Sequence, residues 1–149
     1  METGDTAPAF TLDDETGNPR SLDELLEAGP VVLFFYPQAM TAGCTAEACH
    51  FRDLAADFKA VGATPVGISH DSVDRQAAFA QKHSFGYPLL SDPEGKVAEA
   101  FDVRRRLGIV GTKRKTFVIG QDRKILGAFK SELNMNAHAD KALELLQGA

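Results

Sequence analysis

The sequence predicts an α/β fold: a central mixed β-sheet flanked by helices, with an N-terminal β-hairpin extension. Three observations predict it. Short apolar segments alternate with segments of helical periodicity along most of the chain. The run Val31-Val32-Leu33-Phe34-Phe35-Tyr36 is apolar at every position, as in a strand covered on both faces. Near the C-terminus, Thr116-Phe117-Val118-Ile119 and Lys124 to Phe129 flank the turn Gly120-Gln121-Asp122. That pattern is an antiparallel hairpin, and it makes the sheet mixed.

Taken in order, Pro8 to Leu12 and the polar turn Gly17-Asn18-Pro19 predict the N-terminal hairpin. Ser21-Leu22-Asp23-Glu24 is a capping box, with Ser21 positioned to accept from a backbone N–H. A short helix follows and stops at Gly29-Pro30. After the central strand and Pro37, helical spacing runs from about Thr45 to Ala60. Ala48, Phe51, Ala55 and Phe58 share one face, and Gly62 is the expected C-terminal cap. Thr64 to Ser69 reads as a strand, and Val73 to His83 as a helix capped by Asp71 or Ser72. Next come apolar Tyr87 to Leu90, a turn at Ser91-Asp92-Pro93 and a short helix carrying Val97, Ala98 and Phe101. A last helix holds Ala139, Ala142, Leu143 and Leu146.

Composition narrows the function. The chain has 149 residues, which predicts one domain, 1–149. A chain of that size buries roughly 70% of its unfolded surface and folds without a disulfide or metal. Its net charge of −5 argues against nucleic-acid binding, which draws on Lys and Arg. METGDTAPAF has neither a basic n-region nor an apolar h-region, so no secretory signal is expected. The central run is far shorter than the roughly 20 residues of a membrane helix. The expected location is cytoplasmic. There, paired cysteines serve catalysis, redox sensing or metal binding more than permanent cross-linking.

The two cysteines, Cys44 and Cys49, fall together in Gly43-Cys44-Thr45-Ala46-Glu47-Ala48-Cys49-His50. Cys44 lies at or near the first turn of the predicted helix. Unpaired N–H groups and the helix dipole favour an anion there, so a thiol reacts as thiolate. Cys49 lies more than a turn deeper, where that effect has faded. Cys44 is therefore the candidate nucleophile and Cys49 its partner. On an ideal helix the two Cα atoms stand ~8.6 Å apart, beyond the ~7 Å that a disulfide spans. Bridging them requires the start of the helix to unwind, which argues against a static structural disulfide.

Pro37-Gln38-Ala39-Met40-Thr41-Ala42-Gly43-Cys44 has the form P-x-x-x-T-x-x-C and resembles the peroxiredoxin active site. The Cys44-x4-Cys49 spacing is similar to that of the Q-type, bacterioferritin comigratory protein-like branch. The resemblance continues through Gly67 to Ser72, Tyr87 to Lys96 and Arg114 to Ile119, and covers almost the whole chain in order. It implies a thioredoxin-like fold and a thiol peroxidase that needs no cofactor and acts as a monomer. In that reading Cys44 is the peroxidatic cysteine, oxidised to sulfenic acid by hydrogen peroxide or an organic hydroperoxide. Cys49 is the resolving cysteine, condensing with it to a disulfide. A thioredoxin-like dithiol reductant then restores both thiols. The resemblance gives Thr41 a hydroxyl bond to the thiolate and an orienting role on the peroxide. It gives the backbone N–H groups of Gly43 and Cys44 contact with the same oxygens, and Arg114 a fixed positive charge. Pro37 shields the pocket and Glu47 orients Arg114. One position departs from the pattern: Ala42 stands where Q-type proteins usually carry Pro. Alanine frees a backbone dihedral and restores an N–H, so a looser loop is expected.

Plainer readings compete at single residues. Cysteines can be small buried hydrophobes, Thr41 a helix cap and Glu47 a complement to the helix dipole. Cys44, Cys49 and His50 fall short of the four ligands of a structural zinc site, and His70, His83 and His138 sit in unrelated elements, so no metal is expected. Arg104, Arg105, Arg106, Lys113 and Lys115 read as a solvated basic stretch without interleaved aromatics. The second functional class is a redox sensor in which the Cys44–Cys49 switch controls a partner without high turnover. A general disulfide oxidoreductase normally carries C-x-x-C, absent here.

Overall fold

The computed structural model describes residues 1–104, 113–131 and 134–148. At its centre is β3 (Val31–Phe35), paired in parallel with β4 (Thr64–Ser69) and antiparallel with β6 (Lys115–Ile119). β7 (Ile125–Lys130) closes one edge as the hairpin partner of β6. On the other side β5 (Leu89–Ser91) pairs in parallel with β4. The N-terminal hairpin of β1 (Thr11–Asp13) and β2 (Pro19–Ser21) joins β5 through the single pair Asp13–Ser91. The sheet order is β2-β1-β5-β4-β3-β6-β7, the mixed sheet that the pattern predicts. Among the described residues no helix is long and apolar enough to cross a membrane.

The unbroken apolar run of β3 is explained by a core on each face of the sheet. Successive side chains of a strand point to opposite faces. Val31, Leu33 and Phe35 pack with α1 (Leu22–Leu26) and α5 (Lys96–Ala100). Val32, Phe34 and Tyr36 pack with α2 (Ala42–Asp53), α3 (Ala55–Ala60), α4 (Val73–His83) and α6 (Met135–Gln147). Phe34 is stacked on Phe51 of α2, with ring centroids 4.2 Å apart. That contact fixes α2 over the C-terminal end of β3.

The local signals hold with a few corrections. Ser21 accepts from the Glu24 N–H, the capping-box bond. Ser72, not Asp71, caps α4 and accepts from Arg75 N–H. Gly62 ends α3 with φ +75°. Ala63 N–H reaches back to Phe58 O and Gly62 N–H to Lys59 O, the paired bonds of a Schellman cap. Helix α2 begins three residues earlier than expected, at Ala42, because Thr41 takes the extended N-cap conformation and Thr45 N–H closes the first turn on Thr41 O. The predicted single helix is also broken at Leu54, whose φ −94° and ψ 10° lie off the helical well. Ser91 belongs to β5 and not to the following turn, because it pairs with Ser69 and Asp13 and its hydroxyl donates to Asp71 O.

Gly29 is fixed by two constraints at once. Its φ is +141°, and a Cβ there would lie 2.0 Å from Gly62 O. Gly17, at φ +83°, has open space around it. Gly29→Ala is expected to cost more than Gly17→Ala, which carries only the ~1 kcal/mol of a strained backbone. Urea midpoints of the two variants measure the difference, and equal losses would show that the Gly29–Gly62 approach relaxes freely.

Candidate active site

Cys44 is the third residue of α2, so its N–H precedes the first intrahelical bond, Thr45 to Thr41. The side chain is buried. Arg114, the residue before β6, is brought to it by the antiparallel pairing of β6 with β3. Arg114 Nη2 donates to Cys44 Sγ at 3.3 Å, and Nη1 donates to Glu47 Oε1 at 2.8 Å. Glu47 lies one helical turn beyond Cys44 on the same face and is fully buried. Burial works against the charge on Arg114. The Glu47 carboxylate and the Cys44 sulfur outweigh it and hold the guanidinium above its ordinary pKa. The cation is therefore permanent, and it stands directly against the Cys44 sulfur.

Two side chains complete this cluster that the sequence did not assign to it. His138 of α6 is buried, and its Nε2 lies 3.6 Å from Glu47 Oε2. The same Nε2 is 2.7 Å from Ser131 O; a carbonyl only accepts, so Nε2 carries a proton. Nδ1 lies 2.8 Å from the hydroxyl of Thr116 on β6. Thr116 and Arg114 are two residues apart and share one face of the strand. A polar His138 inside the apolar stripe of Ala139, Ala142 and Leu146 was the available signal. The other histidines sit in other elements, as expected, but packing brings His138 of α6 to Glu47 and His83 of α4 to Cys49. His83 Nδ1 lies 3.9 Å from Cys49 Sγ.

The loop before α2 is held from β4. Asp71 Oδ2 accepts from Ala39 N–H at 2.7 Å and from the Ser69 hydroxyl at 2.6 Å. Its Oδ1 accepts from Arg75 Nε, and Arg75 Nη2 donates to Ala39 O. Ala39 is thus pinned on both its N–H and its carbonyl. Met40 then turns the chain at φ +70°. Pro37 is half-buried at the end of β3. Gly43 leaves room for its neighbours: a Cβ there would stand 3.4 Å from both Arg114 Nη2 and Met135 Sδ.

Thr41 differs from expectation. Its hydroxyl donates to Gln38 O at 2.8 Å, so its single proton is not given to the Cys44 sulfur. It also makes no capping bond of its own to the helix. Cys44 and Cys49 are both free thiols along one continuous helix. His50 turns away from them to Asp140 of α6, at 2.7 Å. Among the described residues, no group of three or more His, Cys, Asp or Glu converges to hold a metal. In the basic stretch, Arg104 is exposed beside Glu99 and Lys115 lies over Phe117. Arg105 and Arg106 lie outside the described residues.

Residues 3–128 match the AhpC/TSA family. The chain belongs to that family and is a Q-type peroxiredoxin. A peroxiredoxin of Mycobacterium tuberculosis is 58% identical over 149 residues, covering 99% of this chain and 97% of the relative. Chloroplastic peroxiredoxin Q of Sedum lineare is 40% identical over 97% of this chain and 77% of its own length. Among solved structures, peroxidoxin BcpB of M. tuberculosis superposes with a TM-score of 0.95 at 58% identity, over 99% of this chain and 97% of that one. Peroxiredoxin Q of Xanthomonas campestris superposes with a TM-score of 0.86 at 30% identity, over 93% of this chain and 90% of that one. The fold is thus the thioredoxin-like fold of peroxiredoxins, and the enzyme is a thiol peroxidase, an oxidoreductase that reduces peroxides.

Asp71 supplies a pH test of the loop anchor. Burial alone would raise its pKa. The bonds from Ser69, Ala39 N–H and Arg75 outweigh burial and hold it below the ordinary carboxylate value. A depressed folded pKa contributes stability above the unfolded value, about 4, and loses it as pH falls through the folded value. Asp71→Asn is expected to destabilise the protein by about 1–3 kcal/mol at pH 6–7, with the difference closing as the pH falls below the ordinary carboxylate value and through the lower folded one. Denaturant titrations of both proteins across that range measure it. A constant difference would show that the charge of Asp71 is not what holds the loop.

Proposed function

We propose that the peroxiredoxin works by a two-cysteine cycle contained within α2. The observation that carries this reading is the Arg114 guanidinium on Cys44 Sγ, inside a buried site at a helix N-terminus. The Cys44 thiolate attacks the terminal oxygen of a hydroperoxide. The S–O bond forms as the O–O bond breaks, and water or an alcohol leaves. Arg114 stabilises the charge that develops on the oxygens, while the N–H groups of Gly43 and Cys44 face the same atoms. Glu47 keeps the guanidinium aimed at the sulfur. Pro37 shields the pocket from the side of β3. Thr41 keeps two acceptor lone pairs while it holds Gln38 O, which suits it to receive the peroxide O–H and orient the substrate.

Cys49 then attacks the Cys44 sulfenic acid, forming the disulfide and releasing water. The spacing of the pair on a helix requires the first turns of α2 to open for this step. A thioredoxin or similar dithiol reduces the disulfide by exchange. The protein acts as a monomer without nucleic acid or membrane, in the reducing cytoplasm that keeps both thiols available.

Peroxide consumption by the reduced protein, with a thioredoxin system as electron source, tests the roles. Wild type is expected to turn over and Cys44→Ser to be inactive. Cys49→Ser is expected to consume one equivalent and stall. Catalytic turnover by Cys44→Ser would overturn the nucleophile assignment. A single equivalent consumed by wild type with a working donor would favour a redox switch over an enzyme.

Ala42 is the first residue of α2, a position where proline is pre-organised for the helix. Ala42→Pro is expected to stabilise the protein by about 0.4–1 kcal/mol and to slow disulfide formation by a comparable factor, about two- to fivefold. Stopped peroxide reactions and hydrogen exchange of the loop check this. No change in either would show that the first residue of α2 does not limit opening.

A further inference from the structure

The two halves of α2 are held very differently. At its start, Thr41 and Ala42 are exposed and Gly43 carries no side chain. From Ala48 onward the helix is clamped. The buried Tyr87 hydroxyl donates to Ala48 O at 2.7 Å. Phe51 is stacked between Phe34 and Phe58. Arg52 Nη1 donates to His83 O at 2.8 Å. When the start of α2 opens, Cys44 therefore travels and Cys49 keeps its place.

That place is against His83. Cys49 Sγ lies 3.9 Å from His83 Nδ1. The imidazole is stacked on Phe85 with centroids 5.4 Å apart, and meets Phe79 edge-on at 5.6 Å. Its backbone is anchored by Arg52 and by the cap of α4, where Ser84 turns at φ +51°. We propose that His83 is the general base of the resolving step, its Nδ1 taking the Cys49 proton so that Cys49 meets oxidised Cys44 as a thiolate. This rests on the reading of Cys49 as the resolving cysteine.

The surrounding charges suit that role. Burial first, then the positive charges of Lys82 on α4 and Arg52 on α2, hold the His83 pKa below its ordinary value. The ring is therefore neutral and an acceptor at neutral pH. Asp53 occupies the far side of the Arg52 guanidinium, bonding its Nε and Nη2. Tyr87, just before β5, is pushed well up by burial and stays protonated. In the step itself Cys49 S–H gives its proton to Nδ1. The sulfur then attacks Cys44 Sγ, the S–S bond forms and the S–O bond breaks. The departing hydroxide takes the imidazolium proton and leaves as water, so the thiol and the sulfenic acid become a disulfide and one water with no other reactant.

The test separates this step from the one before it. Reduced wild type, His83→Gln and His83→Phe are mixed with one equivalent of hydrogen peroxide, quenched in acid at intervals, alkylated and weighed by mass spectrometry. Sulfenic acid and disulfide are followed separately from pH 5 to 9. Wild-type disulfide formation is expected to rise as His83 loses its proton and to level off below the ordinary thiol range, about 8.5. Both variants are expected to form the disulfide about five- to tenfold more slowly at pH 7, relative to the sulfenic acid, and to keep rising up to that range. Variants with the wild-type rate and plateau overturn the proposal. So does a loss that is equal at every pH, which would mark His83 as packing only. If wild type itself accumulates sulfenic acid without disulfide, the resolving assignment of Cys49 fails first.

Discussion

A buried guanidinium must be paired, and the site is organised around that requirement. Arg114 is held out of water between the Glu47 carboxylate and the Cys44 sulfur. A buried charge left alone costs several kcal/mol, so these partners are obligatory. Glu47 can reach Arg114 and leave Cys44 in contact only because the two lie three residues apart on one helix. Arg114 and Met135 pass beside Gly43, where a Cβ would just reach van der Waals contact with both. Helix α6 docks where it does with His138 beside Glu47 and Thr116. The strand pairing of β6 with β3 sets the depth at which the cation enters.

The proposed two-cysteine cycle demands two opposed properties of α2. Intact, the helix presents Cys44 with its first-turn N–H groups and a fixed cation. To resolve, its first turns must come apart. In that reading the two tasks fall to different parts of the helix. Its second half is anchored to the sheet by aromatic stacking and by Tyr87. Its start is held through the preceding loop, where Asp71 and Arg75 pin Ala39 from another element. Opening can then be confined between two fixed points, Ala39 and Cys49. The turn of Met40 at φ +70° sits inside that interval.

The fold was legible to the extent that burial imprints a period. The continuous apolar run of β3 indicated a strand covered twice, and both cores are found on its two faces. The hairpin, the Ser21 cap and Gly62 were read from local chemistry whose range is a few residues. The start of α2 was misplaced because Ala42 and Gly43 carry no apolar pattern. Ser91 was misread because its partners are a hairpin and a strand far away in sequence.

The linear chain also placed Cys44 and Cys49 on one helix, since dipole and spacing are properties of that helix, and the family motif pointed to Arg114, which lies against Cys44. What surrounds them arises from contacts between distant segments. His83 reaches Cys49 across 34 residues, His138 reaches Thr116 across 22, and Asp71 reaches Ala39 across 32. Such neighbours are chosen by sheet order and helix packing, which no local period encodes. The proton carried by the Thr41 hydroxyl is settled in the same way. It goes to Gln38 because the loop geometry brings that carbonyl within 2.8 Å, and a hydroxyl has one proton to give.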